Sequence, residues 1–139
     1  MYEILIFTVL CMTLECGAGI LYGVGIGHDP LLVYPAAIII NFTSVFIAGF
    51  LIGRLLEWKK GLKNWLEKRL ARGQKLIDKY GWIGIIMGIF VLSPMQLAII
   101  GRLVGMKPSK LYPALFVAIV IVATAFLGIA LGIFKVLLS

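Results

Sequence analysis

The sequence predicts an all-α integral membrane protein: an inverted repeat of a re-entrant helical hairpin plus a transmembrane helix, with a basic amphipathic interfacial helix between the repeats. Three observations predict it. The composition is apolar, two of four apolar segments are interrupted, and part of the chain repeats at an offset of 78 residues.

Of 139 residues, 62% are hydrophobic and 14% charged, with a mean hydropathy of +1.09. Soluble domains average roughly 45–50% apolar and about 25% charged residues. The balance excludes a soluble enzyme and a disordered chain, and it places the protein in lipid. The length fits a single membrane domain over residues 1–139, read as repeat 1 (1–56), a basic linker (57–80) and repeat 2 (81–139). Two cysteines, Cys11 and Cys16, are too few for a disulfide framework. No basic region precedes the first apolar run, so no cleavable signal peptide is expected.

The apolar segments run over 4–27, 31–53, 81–106 and 111–134. The second and fourth carry no charge and read as plain transmembrane helices, for which about 20 residues suffice. The first is interrupted by Glu15 and is rich in glycine beyond it. The third is interrupted by Ser93 and Pro94, and proline breaks the helical hydrogen-bond ladder.

Residues 23–36 (GVGIGHDPLLVYPA) align with residues 101–114 (GRLVGMKPSKLYPA) at six identities in fourteen positions. Gly23, Gly27, Pro30, Tyr34, Pro35 and Ala36 fall on Gly101, Gly105, Pro108, Tyr112, Pro113 and Ala114. Glu15 falls on Ser93, so the interruptions coincide. Apolar segments share Ile and Val by chance. They do not share this Gly, Pro and Tyr pattern by chance, and a duplication is expected.

Charge sets the orientation. Nine of the thirteen Lys and Arg residues lie between Arg54 and Lys79, which marks that stretch as cytoplasmic. Lys107 and Lys110 join it on the same side if the third segment turns back, and lie outside if that segment spans. Turning back leaves one crossing per repeat and inverts the copies, a common transporter plan. A 26-residue segment folded in two gives legs of roughly 20 Å, short of the roughly 30 Å hydrocarbon core. The linker places Trp58, Leu62, Trp65, Leu66, Leu70, Leu76, Ile77 and Tyr80 at mostly helical spacing among basic residues. That pattern suits an interfacial helix, either a connector that sets topology or a collector of anionic headgroups.

Six residues stand out as a substrate or proton site. Glu15 is the acid deepest in an apolar segment; burying its charge is costly, so it is functional, neutral or paired, and proton exchange is the expected chemistry. Arg102 is either a phosphate ligand or Glu15 partner, or an arginine snorkelling to the interface. Ser93, Pro94 and Gln96 form the second interruption, where a broken helix exposes backbone groups. Asn41 is expensive to bury and is expected to face the hairpins, whereas Thr43 and Ser44 suit hydrogen bonding between helices. Asp29 is expected to cap the helix starting near Pro30. Glycines at four-residue spacing, from Gly19 to Gly132, permit close helix contacts within a subunit or across a dimer. His28 lacks ligand-spaced neighbours, so no metal site and no cofactor are expected. No nucleophile and base pair is visible, and the basic stretch reads as a membrane signal rather than a nucleic-acid surface.

The run from Trp65 to Gly105 (WLEKRLARGQKLIDKYGWIGIIMGIFVLSPMQLAIIGRLVG) resembles the small multidrug export protein family, which is in turn similar to the DedA superfamily. The shared features are a basic segment ending in Lys79-Tyr80-Gly81, a segment broken at Pro94, and a glycine-containing basic turn of Gly105, Met106, Lys107, Pro108 and Lys110. Glu15 and the small residues after it resemble the acidic motif of the first half. DedA proteins carry arginines around the second proline; here Val91, Leu92 and Leu97 stand there, with Arg102 nearby. The resemblance implies two facing re-entrant hairpins and transport of an amphipathic, lipid or lipid-phosphate substrate, with coupling to protons as an expectation, in a prokaryotic cytoplasmic membrane. Membrane lipids and other copies of the chain are the expected partners. A four-helix proton-coupled multidrug exporter and a non-transporting scaffold are the open alternatives.

Overall fold

The computed structural model describes residues 1–13, 15–90 and 92–139, with residue 134 described by its backbone alone. Among the described residues the chain is helical without strands. In order come α1 (Tyr2–Thr13), α2 (Cys16–Gly25), α3 (Pro30–Trp58), α4 (Lys60–Arg69), α5 (Ala71–Tyr80), α6 (Trp82–Gly88), α7 (Pro94–Leu103) and α8 (Pro108–Leu138). Two of these, α3 with 29 residues and α8 with 31, are long and apolar enough to cross a membrane. At 1.5 Å per residue each exceeds the roughly 30 Å hydrocarbon core. Both interrupted segments are divided into helices of 12 residues or fewer, too short to cross alone. α3 leaves Leu31, Leu32, Ile39, Ile47, Phe50 and Leu51 exposed, a surface that suits lipid rather than water.

The chain forms two compact units, residues 1–44 with 119–139 and residues 45–118. In the first, α1 and α2 make a helical hairpin. Gly19 lies under Cys11, and Gly23 lies under both Phe7 and Val33. A methyl group at Gly23 would sit 2.9 Å from Val33 Cγ1, so the absent side chain lets α2 reach α3. Such small residues suit helix contact in lipid, where van der Waals packing replaces the hydrophobic drive. Tyr34 lies 2.9 Å from Thr124, whose own hydroxyl donates to Val120 O at 2.8 Å; the Tyr34 hydroxyl is therefore the donor between them.

In the second unit the basic linker is two helices rather than one, divided at Leu70. α4 buries nothing, as expected of an interfacial helix, but α5 buries Gly73 and Ile77. Gly73 accommodates Ile100 of α7, and Gly84 of α6 lies against the Leu76 carbonyl of α5. The linker pattern thus conceals a packed helix: its apolar stripe is too short to show whether lipid or protein covers it.

The two segments aligned at an offset of 78 residues have like local structure. α2 and α7 begin and end at positions 78 residues apart. Each closes in the same turn: Gly27 N–H donates to Val24 O at 3.1 Å and His28 N–H to Gly23 O at 3.1 Å, while Gly105 and Met106 donate to Arg102 O and Gly101 O at 3.2 and 2.9 Å. This is the Schellman pattern, whose C′ residue needs a positive φ, and Gly27 and Gly105 supply 91° and 76°. Each turn is followed by a long helix starting at a proline. Gly23 against Val33 has its counterpart in Gly101 against Leu111.

Candidate functional site

Glu15 stands at the N-cap of α2 with φ 101° and ψ 159°, a conformation that disfavours any residue with a Cβ. Its side chain makes no capping hydrogen bond, so the carboxyl is not consumed in starting the helix. It is half-buried. Where α1 ends, the last carbonyls lose their helical partners. Asn41 of α3 takes one of them: its Nδ2 donates to Cys11 O at 2.7 Å, four residues before Glu15. Asn41 is 4% exposed, and its Oδ1 is buried without a hydrogen-bond partner among the described residues. Cys16, the residue after Glu15, points its thiol at Ile119 O of α8 at 3.9 Å. Asn41 of α3 is thus tied to the hairpin that Glu15 interrupts; the Glu15 carboxyl does not cap α2, and among the described residues Asn41 Oδ1 has no hydrogen-bond partner.

The second break is built differently. Ser93 N–H donates to Gln96 Oε1 at 3.1 Å, and Gln96 N–H donates to Ser93 Oγ at 3.3 Å, a reciprocal capping box with Pro94 at the first helical position. Ser93 Oγ and Gln96 Oε1 are engaged in starting α7. Ser93→Ala is expected to cost about 0.5–2 kcal/mol, as for other caps, measurable as a lowered Tm in detergent. Val91 lies outside the described residues.

Arg102 leaves α7 toward the end of α3. Gly53 makes room for it: a methyl group there would stand 2.7 Å from Arg102 Nε and 2.9 Å from Cζ. That Nε is buried without a hydrogen-bond partner among the described residues. Arg102, Ser93, Pro94 and Gln96 lie in the second unit, Glu15 and Asn41 in the first.

Asp29 caps α3, accepting from Leu31 N–H at 2.9 Å. Ser44 departs from expectation: it donates to Ile40 O of its own helix at 2.7 Å, because in a continuous helix the carbonyl four residues back is the nearest acceptor. No local pattern signals that Glu3 and His28 meet. Their side chains pair at 3.7 Å beside an open apolar cavity of about 410 Å³ that includes Phe7, Leu32 and Val33. Residues 25 apart have no local signature; only the folding of α1 against α2 joins them.

No curated protein and no solved structure matches the chain. A family model does, over residues 15–133, from Glu15 through both interrupted segments into α8. The chain belongs to the family described as Putative small multi-drug export protein.

Proposed function

We propose that the protein is a small membrane transporter that moves an amphipathic or lipid-like substrate across the cytoplasmic membrane, with Glu15 as its proton site. The two broken segments are re-entrant hairpins of an inverted repeat, as in other transporters with discontinuous helices. One observation carries the reading most. Tyr34 of α3 pairs with position 124 of α8, and Tyr112 of α8 packs on position 46 of α3 with ring centroids 4.7 Å apart. Tyr112 is Tyr34 advanced by 78 residues, and Thr124 is Phe46 advanced by 78. Such an exchange of partners is what a two-fold relation between duplicated halves produces. Charge supports the orientation: at equivalent turns the first repeat has Asp29 and the second Lys107, as the positive-inside rule requires if the second turn shares the cytoplasmic side with the basic helices. The working unit in this reading is a homo-oligomer.

The function is tested with purified protein in phosphatidylcholine vesicles carrying fluorescent phosphatidylglycerol. Faster loss of inner-leaflet fluorescence protection than in protein-free vesicles is expected. No acceleration for this lipid or for amphiphilic cations sinks the transporter reading. Topology is tested by single cysteines at Lys107 and Asp29 in a chain lacking Cys11 and Cys16. Lys107→Cys should react only from the cytoplasm and Asp29→Cys only from outside; external labelling of Lys107→Cys overturns the inverted arrangement.

A further inference from the structure

Below the C-terminal end of α7 lies an open cavity of about 570 Å³. Its wall includes Arg102, Lys60, Lys63 and Lys107, against the single carboxylate of Glu57. Three separate elements supply these cations: α7, the start of α4, and the turn into α8. Lys63 and Arg102, 39 residues apart in sequence, therefore converge on one space. Lys63 also lies 4.0 Å from Glu67, an exposed helical pair that holds it only weakly.

Three further features point to an anion as the occupant. The buried Arg102 Nε lacks an acceptor among the described residues, and a buried donor left without one is costly. Gly53 sets the guanidinium beside the cavity, and a guanidinium presents a planar fork matched to the oxygens of a phosphate. Pro108, the first residue of the 31-residue α8, lines the same cavity, so the positive end of that helix faces it. The equivalent turn of the first segment also precedes a long helix starting at a proline, but it lacks the cations: Val24, Asp29 and Leu131 stand at the positions of Arg102, Lys107 and Gly53.

We propose that this cavity binds the phosphate group of an anionic phospholipid headgroup, with Arg102 as the directional ligand and Lys60, Lys63 and Lys107 as its electrostatic surround. The proposal deepens the transporter reading and rests on it for treating the bound lipid as substrate; the binding site itself is tested without transport. A free phosphate ion shares the recognised chemistry, and the experiment separates the two.

The full-length protein in uncharged detergent is titrated with dioctanoyl-phosphatidylglycerol, dioctanoyl-phosphatidylcholine and inorganic phosphate, followed by intrinsic tryptophan fluorescence. Phosphatidylglycerol should bind at least about tenfold tighter than phosphatidylcholine. Both Arg102→Gln and the triple variant Lys60→Gln, Lys63→Gln, Lys107→Gln should weaken that binding by about tenfold or more. The three lysines are exposed, so the triple variant keeps the test valid if Arg102→Gln does not fold. Arg102→Lys should recover part of the loss. Competition by inorganic phosphate identifies the free ion as the ligand; its absence identifies the lipid headgroup. Equal binding of both lipids, or a triple variant that binds like the parent, overturns the site. Selective binding without transbilayer movement leaves the site standing and removes the transporter reading alone.

Discussion

Glu15→Gln is expected to abolish transport while leaving the folded protein intact. The substitution keeps the shape of the side chain and removes only its capacity to release and bind a proton. The structure gives the carboxyl no capping duty, so a stability effect is not expected from its loss. The comparison with Glu15→Gly adds a second axis. The backbone at this position has φ 101° and ψ 159°, a region open essentially to glycine and costing other residues on the order of 1–3 kcal/mol. Glycine removes that cost, so Glu15→Gly should raise the Tm in detergent and still abolish transport. The pair of outcomes, a more stable protein that does not move substrate, is the signature of strain retained for function. Transport surviving in Glu15→Gln rejects the proton site. A lower Tm in Glu15→Gly means that the carboxyl holds the hairpin together, and Glu15 is then structural.

This residue also marks what was legible beforehand. The break at Glu15, the break at Ser93 and the equivalence of the two could be read from glycine, proline and charge, because each imposes a local backbone constraint. Helix ends α2 and α7 fall at equivalent positions for the same reason. The backbone cost at Glu15 was not legible, since nothing in a side chain's identity reveals a positive φ forced by its surroundings. Asn41 was expected to face the hairpins, but its partner, the Cys11 carbonyl, exists only once α1 stops. The roles of Ser93 and Gln96 divide along the same line. Their spacing is that of a capping box, yet placing them at a membrane interruption favoured a substrate role over the local one. The linker lysines were read as a topology signal. That Lys60 and Lys63 share a cavity with Arg102 depends on how α3, α4 and α7 meet, which no local pattern encodes.

The glycines separate these levels most sharply, and they give opposite signs for one chemical change. Gly84→Ala is expected to destabilise the protein, and Gly128→Ala to stabilise it. Both residues are in helices, where replacing glycine by alanine gains up to about 1 kcal/mol of backbone propensity. At Gly128 no described atom lies within 4 Å of the added methyl group, so the gain is realised without cost. At Gly84 the methyl would stand 2.7 Å from Leu76 O and 3.2 Å from Ile77 Cα. Those atoms are backbone and cannot rotate aside as a side-chain end can. α5 and α6 must move apart, and overpacking of this kind costs about 1–3 kcal/mol, occasionally more. That exceeds the propensity gain, and the loosened contact also withdraws support from Ile77 and Ile85, both buried. Thermal unfolding of the two single variants in one detergent reads the difference directly. A Tm for Gly84→Ala at or above that of the parent shows that α5 does not pack on α6. The linker would then be an interfacial connector throughout, as the sequence pattern alone suggests. A Tm lowered by Gly128→Ala shows that another surface, in a second copy of the chain, covers α8 at that point.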